Sequence, residues 1–180
     1  MSPATGDGPG HGGGRNPRSA QIARQRSSAR LAAIQALYQM ELAGSSADQV
    51  IREFVEQRLK EDVDGMNLVE ADRRLFSELV RGVTAERGDL DDMLAAVLDE
   101  DWPVERLETL LLVLLRAGAY ELSARTAVPV RVAISEYIAL ADAFFSGKEP
   151  GMVNGVLDRV GRALRPAEFE PESAGPAGRA

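Results

Sequence analysis

The chain has 180 residues, 44% of them hydrophobic and 27% charged, enough for one compact domain or two small ones that bury roughly 70% of the unfolded chain's surface. With 28 acidic and 21 basic residues its net charge is -7, which argues against non-specific attraction of the whole chain to nucleic acid or to an anionic membrane. The absence of cysteine excludes disulfides, thiolate metal sites and cysteine nucleophiles, and no apolar run approaches the ~20 residues that span a bilayer. A cytoplasmic protein is expected.

The charge is unevenly placed. Residues 1–30 hold five arginines (Arg15, Arg18, Arg24, Arg26 and Arg30) against one acid, Asp7, for a net of +4, which leaves -11 for residues 31–180. Residues 1–26 read as a flexible basic tail, Gly-rich as far as Asn16, with too few apolar residues to offset the entropy of ordering. A helical domain follows over 27–165, divided into an N-terminal bundle (27–87) and a C-terminal bundle (88–165), and a second flexible tail occupies 166–180, beginning at Pro166.

Within the domain, apolar residues recur at helical spacing. The first helix is N-capped by Ser27 or Ser28, carries Ile34, Leu37, Tyr38 and Leu42, and stops at Gly44. A second runs from Ser46 with Val50, Ile51, Phe54 and Leu59, a third spans about 67–87, and a fourth spans 89–98. Between the second and third, Asp62, Asp64 and Gly65 resemble a calcium loop, but that register puts Lys60 and Ala71 at its two anchoring ligand positions, so a plain turn is expected. The fifth helix begins at Asp101 and Pro103. It is apolar all round from Leu110 to Leu115, the mark of a central element, and Gly118 within it implies another helix passing close by. Val128, Val130, Val132 and Ile134 alternate with period two but have no strand-like partner, so a sixth helix from about Pro129 is expected, then a seventh over 150–164. The fold class is all-α, about seven helices in two packed small bundles.

No phosphate-binding, zinc-protease or nucleophile-elbow motif is present, and the acids near helix starts fit solvated dipole partners better than a general acid and base. An enzyme is not expected, and nothing asks for a cofactor or metal. Arg116 interrupts the most apolar segment and, if buried, needs a carboxylate such as Glu121 or Glu136. Arg24, Arg26 and Arg30 lie at the start of the first helix, where its dipole disfavours cations. On charge alone they are either a phosphate-binding cluster or a solvated basic tail.

Four separated blocks turn this even choice toward phosphate binding. Residues 30–41 (RLAAIQALYQME), 115–122 (LRAGAYEL), 128–136 (VPVRVAISE) and 153–158 (VNGVLD) resemble, in order and spacing, the NusB family of transcription antitermination factors, over about residues 28–166. The resemblance implies an all-helical, non-catalytic protein of the transcription elongation complex. It would bind the boxA element of nascent RNA together with the ribosomal protein NusE and support ribosomal RNA operon transcription. It also implies RNA contacts at Arg24, Arg26, Arg30, Met152 and Asn154, and partner contacts at Tyr38 and Glu105. Ser27 and Ser28 stand where such proteins often continue an arginine run, and Met152 where an aromatic is common. The alternative is a helical protein-interaction scaffold with no RNA contact of its own.

Overall fold

The computed structural model describes residues 16–59, 70–99 and 102–170; the turn expected around Asp62, Asp64 and Gly65 lies outside them, as do 1–15 and 171–180. Among the described residues there are seven α-helices and no strand. The first, α1 (Pro17–Ala43), begins ten residues before the expected cap. Asn16 accepts the Arg18 amide at 3.1 Å and Pro17 fills the first turn, where its missing N–H costs nothing. Ser27 and Ser28 are therefore interior, and residues 17–26 are helix rather than tail. Near their C-terminal end the Asp72 amide donates to the Gln25 carbonyl at 3.0 Å, which ties this part of α1 to the residue before Arg73. Gly44, at φ 67°, ends α1 by donating to the Met40 carbonyl, as a left-handed C-cap should.

Ser46 caps α2 (Ala47–Glu53), which continues into a π-helical turn at Phe54–Arg58. That turn presents Phe54 to Phe76 as a stacked pair 5.6 Å apart. Asp72 caps α3 (Arg73–Ala85) through the amides of Arg74 and Leu75, and α4 (Arg87–Ala95) follows. The fifth helix starts later than Asp101 and Pro103, the beginning expected from the sequence. A 3-10 turn occupies Val104–Arg106, and α5 (Thr109–Ala124) starts where the Glu108 side chain accepts the Leu110 amide. The period-two valines are helical: α6 (Val130–Phe144) starts from Pro129, and α7 (Glu149–Leu164) completes the set.

α5 is the hub, packing on α1, α3, α4, α6 and α7, and its residues from Val113 to Leu122 are all buried. α1 with α2 and α3 lies to one side, and α6 with α7 to the other. A Cβ on Gly118 would sit 2.6 Å from Leu157 Cδ1, so the expected close passage is that of α7. Arg116 is buried and paired, but by Asp91 (2.6 and 2.8 Å) and Glu41 (3.0 Å) rather than by Glu121 or Glu136.

Residues 166–170, placed in a tail by the sequence, dock on the body. Glu168 accepts the Val130 amide at 2.9 Å, capping α6; Arg165 ties Glu168 to the Thr126 and Val128 carbonyls, and Arg162 lies over the Phe169 ring. The backbone bond from Val130, with the Arg165 charge, holds the Glu168 carboxyl below its ordinary pKa. A depressed carboxyl stabilises the fold above its unfolded pKa, and the contribution fades as pH falls through the folded value. Thermal melts between about pH 5 and pH 3 should therefore show a shallower acid loss for Glu168→Gln, which keeps an acceptor oxygen without the charge.

Candidate nucleic-acid interface

Of the three arginines expected to meet RNA, Arg30 is buried and held by the protein's own carboxylates. It is 3% exposed, with Nε and Nη2 on Glu121 at 2.9 and 2.5 Å and Nη1 on Glu136 at 3.2 Å. Tyr137 also donates to Glu121 at 2.9 Å, and the Ser27 hydroxyl lies 2.6 Å from Glu136. Burial alone would lower the Arg30 pKa, but hydrogen bonds and charge from Glu121, with Glu136 behind, outweigh it and hold the guanidinium above its ordinary value. Burial and the Glu121 charge push the Tyr137 hydroxyl up as well. Arg30 is thus the centre of a buried network joining α1, α5 and α6, and with Glu136 it lines the small cleft beside Arg26. Burial takes Arg30 out of the exposed basic row of α1, and Ser27, expected as a cap, ties α1 to α6 instead.

Arg24 and Arg26 are exposed on the first half of α1, together with Arg18. Arg26 borders a small cleft of about 140 Å³ with Ala23, Val128, Pro129 and Val132, so the basic stretch of α1 lies against the start of α6. No described carboxylate pairs with Arg18, Arg24 or Arg26. Ile22 and Val132, both exposed, give the same edge apolar surface.

Met152 and Asn154 belong to α7. Asn154 is exposed inside the helix and caps nothing, whereas Met152 is half-buried in a groove of about 630 Å³ with Leu98, Trp102, Leu111, Phe145 and Val156. Arg106, Lys148 and Arg159 rim this groove alongside Asp99, Glu108 and Glu149, so its charge is balanced. Trp102 is 55% exposed there, which periodicity does not reveal because it stands outside any helix. Tyr38 is half-buried in a separate shallow cleft with Gln39, Leu42, Ala43 and Arg58, beside the exposed Leu42. Glu105, exposed on the 3-10 turn before α5, lines neither groove.

The NusB family model matches residues 27–162, which takes in every helix packed around α5. The chain belongs to the NusB family. Among curated NusB relatives, the transcription antitermination protein NusB of Caulobacter vibrioides is 47% identical over 140 residues, covering 78% of this chain and 94% of that one. The Brucella ovis protein of the same name is 45% identical over 149 residues, covering 83% and 87%. Of solved structures, T. maritima NusB superposes with a TM-score of 0.66 at 26% identity, covering 81% of this chain and 97% of that one. A structure of antitermination factors NusB and NusE in complex with dsRNA gives 0.64 at 25% identity, covering 78% and 98%. The NusB helical set thus accounts for the body of this chain, and α1 extends it by ten residues on the N-terminal side of the matched segment.

Proposed function

We infer that this chain is a transcription antitermination factor that binds boxA RNA jointly with NusE and supports ribosomal RNA operon transcription in the elongation complex. It works in the cytoplasm by binding, without catalysis or a cofactor. The observation that carries this reading is the row of exposed arginines on α1, Arg18, Arg24 and Arg26, on a body whose remaining charge is strongly negative. RNA phosphates are the partners such guanidinium groups pair with best, often bidentately. Family membership supplies the biological setting, and the NusB–NusE–dsRNA neighbour shows that a relative engages both partners.

The acidic remainder repels RNA beyond that edge, so NusE is expected to supply much of the positive surface. Met152 and Asn154 serve as further RNA contacts on α7, and Tyr38 and Glu105 as contacts to NusE.

The test is a titration of a boxA oligonucleotide and a scrambled control, with and without NusE. The pair of proteins should bind boxA more tightly than either NusE alone or the scrambled RNA. Each single-strand phosphate neutralised contributes ~0.7 to the slope of log affinity against log salt, so Arg24→Ala/Arg26→Ala should flatten that slope by about 1.4. Trp102, the one tryptophan of the chain, reports occupancy of the Met152 groove by its emission. If the chain complexes NusE without raising RNA affinity above that of NusE alone, it is a protein-interaction scaffold and the RNA reading fails.

A further inference from the structure

We propose that the RNA-binding edge continues from α1 onto the first turn of α3, where Arg73 and Arg74 bind phosphates of the same RNA; this rests on the RNA reading given above and extends it to residues outside the basic N-terminal segment. The two arginines are far from Arg24 and Arg26 in sequence. The Asp72 amide, 3.0 Å from the Gln25 carbonyl, joins the two segments directly. With standard backbone dimensions, that bond puts the Arg73 Cα within about 11 Å of the Gln25 Cα, between Arg24 and Arg26.

Arg81, Arg87, Arg125 and Arg162 are held by the protein's own acids Asp48, Glu41, Glu78 and Asp158, whereas Arg52, Arg106 and Arg131 are exposed without one among the described residues. Arg73 and Arg74 differ from the latter in being adjacent in one first turn that Asp72 joins to α1 beside Arg24 and Arg26. Arg73 and Arg74 are exposed and, like Arg24 and Arg26, have no carboxylate partner among the described residues. Asp72, the acid beside them, accepts the amides of Arg74 and Leu75 at 3.1 and 3.0 Å as the helix cap. Two cations in a helix's first turn also oppose its dipole, and α3 has no acid in that turn, whereas α2 and α4 carry Asp48 and Asp89 there. The arrangement costs the free protein a little and favours an anion brought from outside. Single-stranded RNA lying along α1 supplies consecutive phosphates within reach of both segments.

The experiment compares Arg73→Ala/Arg74→Ala with wild type in boxA binding, NusE present, over about 50 to 200 mM salt. The expected result is a slope reduced by about 1.4, which is roughly a sevenfold smaller loss of affinity across that range, with weaker binding at the low-salt end. Arg81→Ala/Arg87→Ala changes net charge equally at cations already held by Asp48 and Glu41, and should leave the slope near wild type. Arg73→Lys/Arg74→Lys keeps the charge and should keep the slope. The melting temperature of the alanine variant should be unchanged or raised, since the opposing cations are gone. An unchanged slope alongside a weakened Arg24→Ala/Arg26→Ala variant overturns the proposal and leaves the function standing. A lysine variant as impaired as the alanine one also overturns it. If neither alanine pair alters binding, the RNA reading of the α1 edge itself fails.

Discussion

Replacing Arg30 by alanine should destabilise the protein by about 3–5 kcal/mol, the cost of leaving a buried charge without its partner. Glu121 is fully buried, and Arg30 supplies two of the hydrogen bonds to its carboxylate. After the substitution Tyr137 remains as a donor, and Arg125 Nε stands 3.8 Å away, too far to replace a bidentate guanidinium. For a chain of this size the loss corresponds to a drop in melting temperature of roughly 10–15 °C. Urea unfolding should show a lowered midpoint with an unchanged slope. Adding Glu121→Gln should recover part of the loss by removing the stranded charge, whereas Glu121→Gln alone should destabilise. The folded fraction of Arg30→Ala should retain the wild-type salt slope for boxA RNA. A variant that melts like wild type yet loses RNA affinity would show that Arg30 faces solvent after all.

The helix count, the Gly44 and Ser46 boundaries, the sixth helix and the close approach at Gly118 are all legible in the sequence because each depends on local chemistry: a cap, a φ above zero, a missing strand partner, a missing Cβ. The start of α1 is also written locally, in Asn16 followed by Pro17, but the serine pair offers a competing cap nearer the apolar residues. Counting charge before phase misplaces Arg30. It precedes Ile34 by four residues and Leu37 by seven, so it shares their buried stripe, and that spacing is visible in the sequence itself. What spacing does not supply is the choice of partners. Arg116 and Glu121 are both buried on α5, five residues apart, yet each pairs with other helices: Arg116 with Asp91 and Glu41, Glu121 with Arg30. Which acid meets which base is decided by the way α1, α4 and α6 pack around α5, and no one-dimensional pattern encodes it. The same limit hides Arg73 and Arg74, whose nearness to α1 comes from the packing of α3 on α1 and the contact of Asp72 with Gln25.

Gly82→Ala should destabilise by about 1–3 kcal/mol, against the ~1 kcal/mol gain that the same change brings to an unencumbered helix. Gly82 lies inside α3, where it faces Tyr120 of α5: a Cβ there would fall 2.0 Å from Cζ and 2.3 Å from both Cε2 and the hydroxyl oxygen. A rigid ring cannot yield by tenths of an ångström, so either the buried Tyr120 leaves its site or α3 moves off α5. Gly88, in α4, provides the opposite case, because a Cβ added there would meet nothing within 4 Å; Gly88→Ala should stabilise by roughly 0.5–1 kcal/mol. Chemical denaturation of the two variants should therefore give shifts of opposite sign. In a Tyr120→Leu background the ring is gone, and Gly82→Ala should become neutral or mildly favourable, a coupling that a double-mutant cycle measures. Equal stability of Gly82→Ala and wild type would mean that α3 and α5 are not packed as closely as the Gly82 and Tyr120 positions require. Because α3 also presents Arg73 and Arg74 beside α1, a helix displaced at Gly82 should carry those arginines with it, so the variant's folded state should also bind boxA RNA more weakly than Gly88→Ala does.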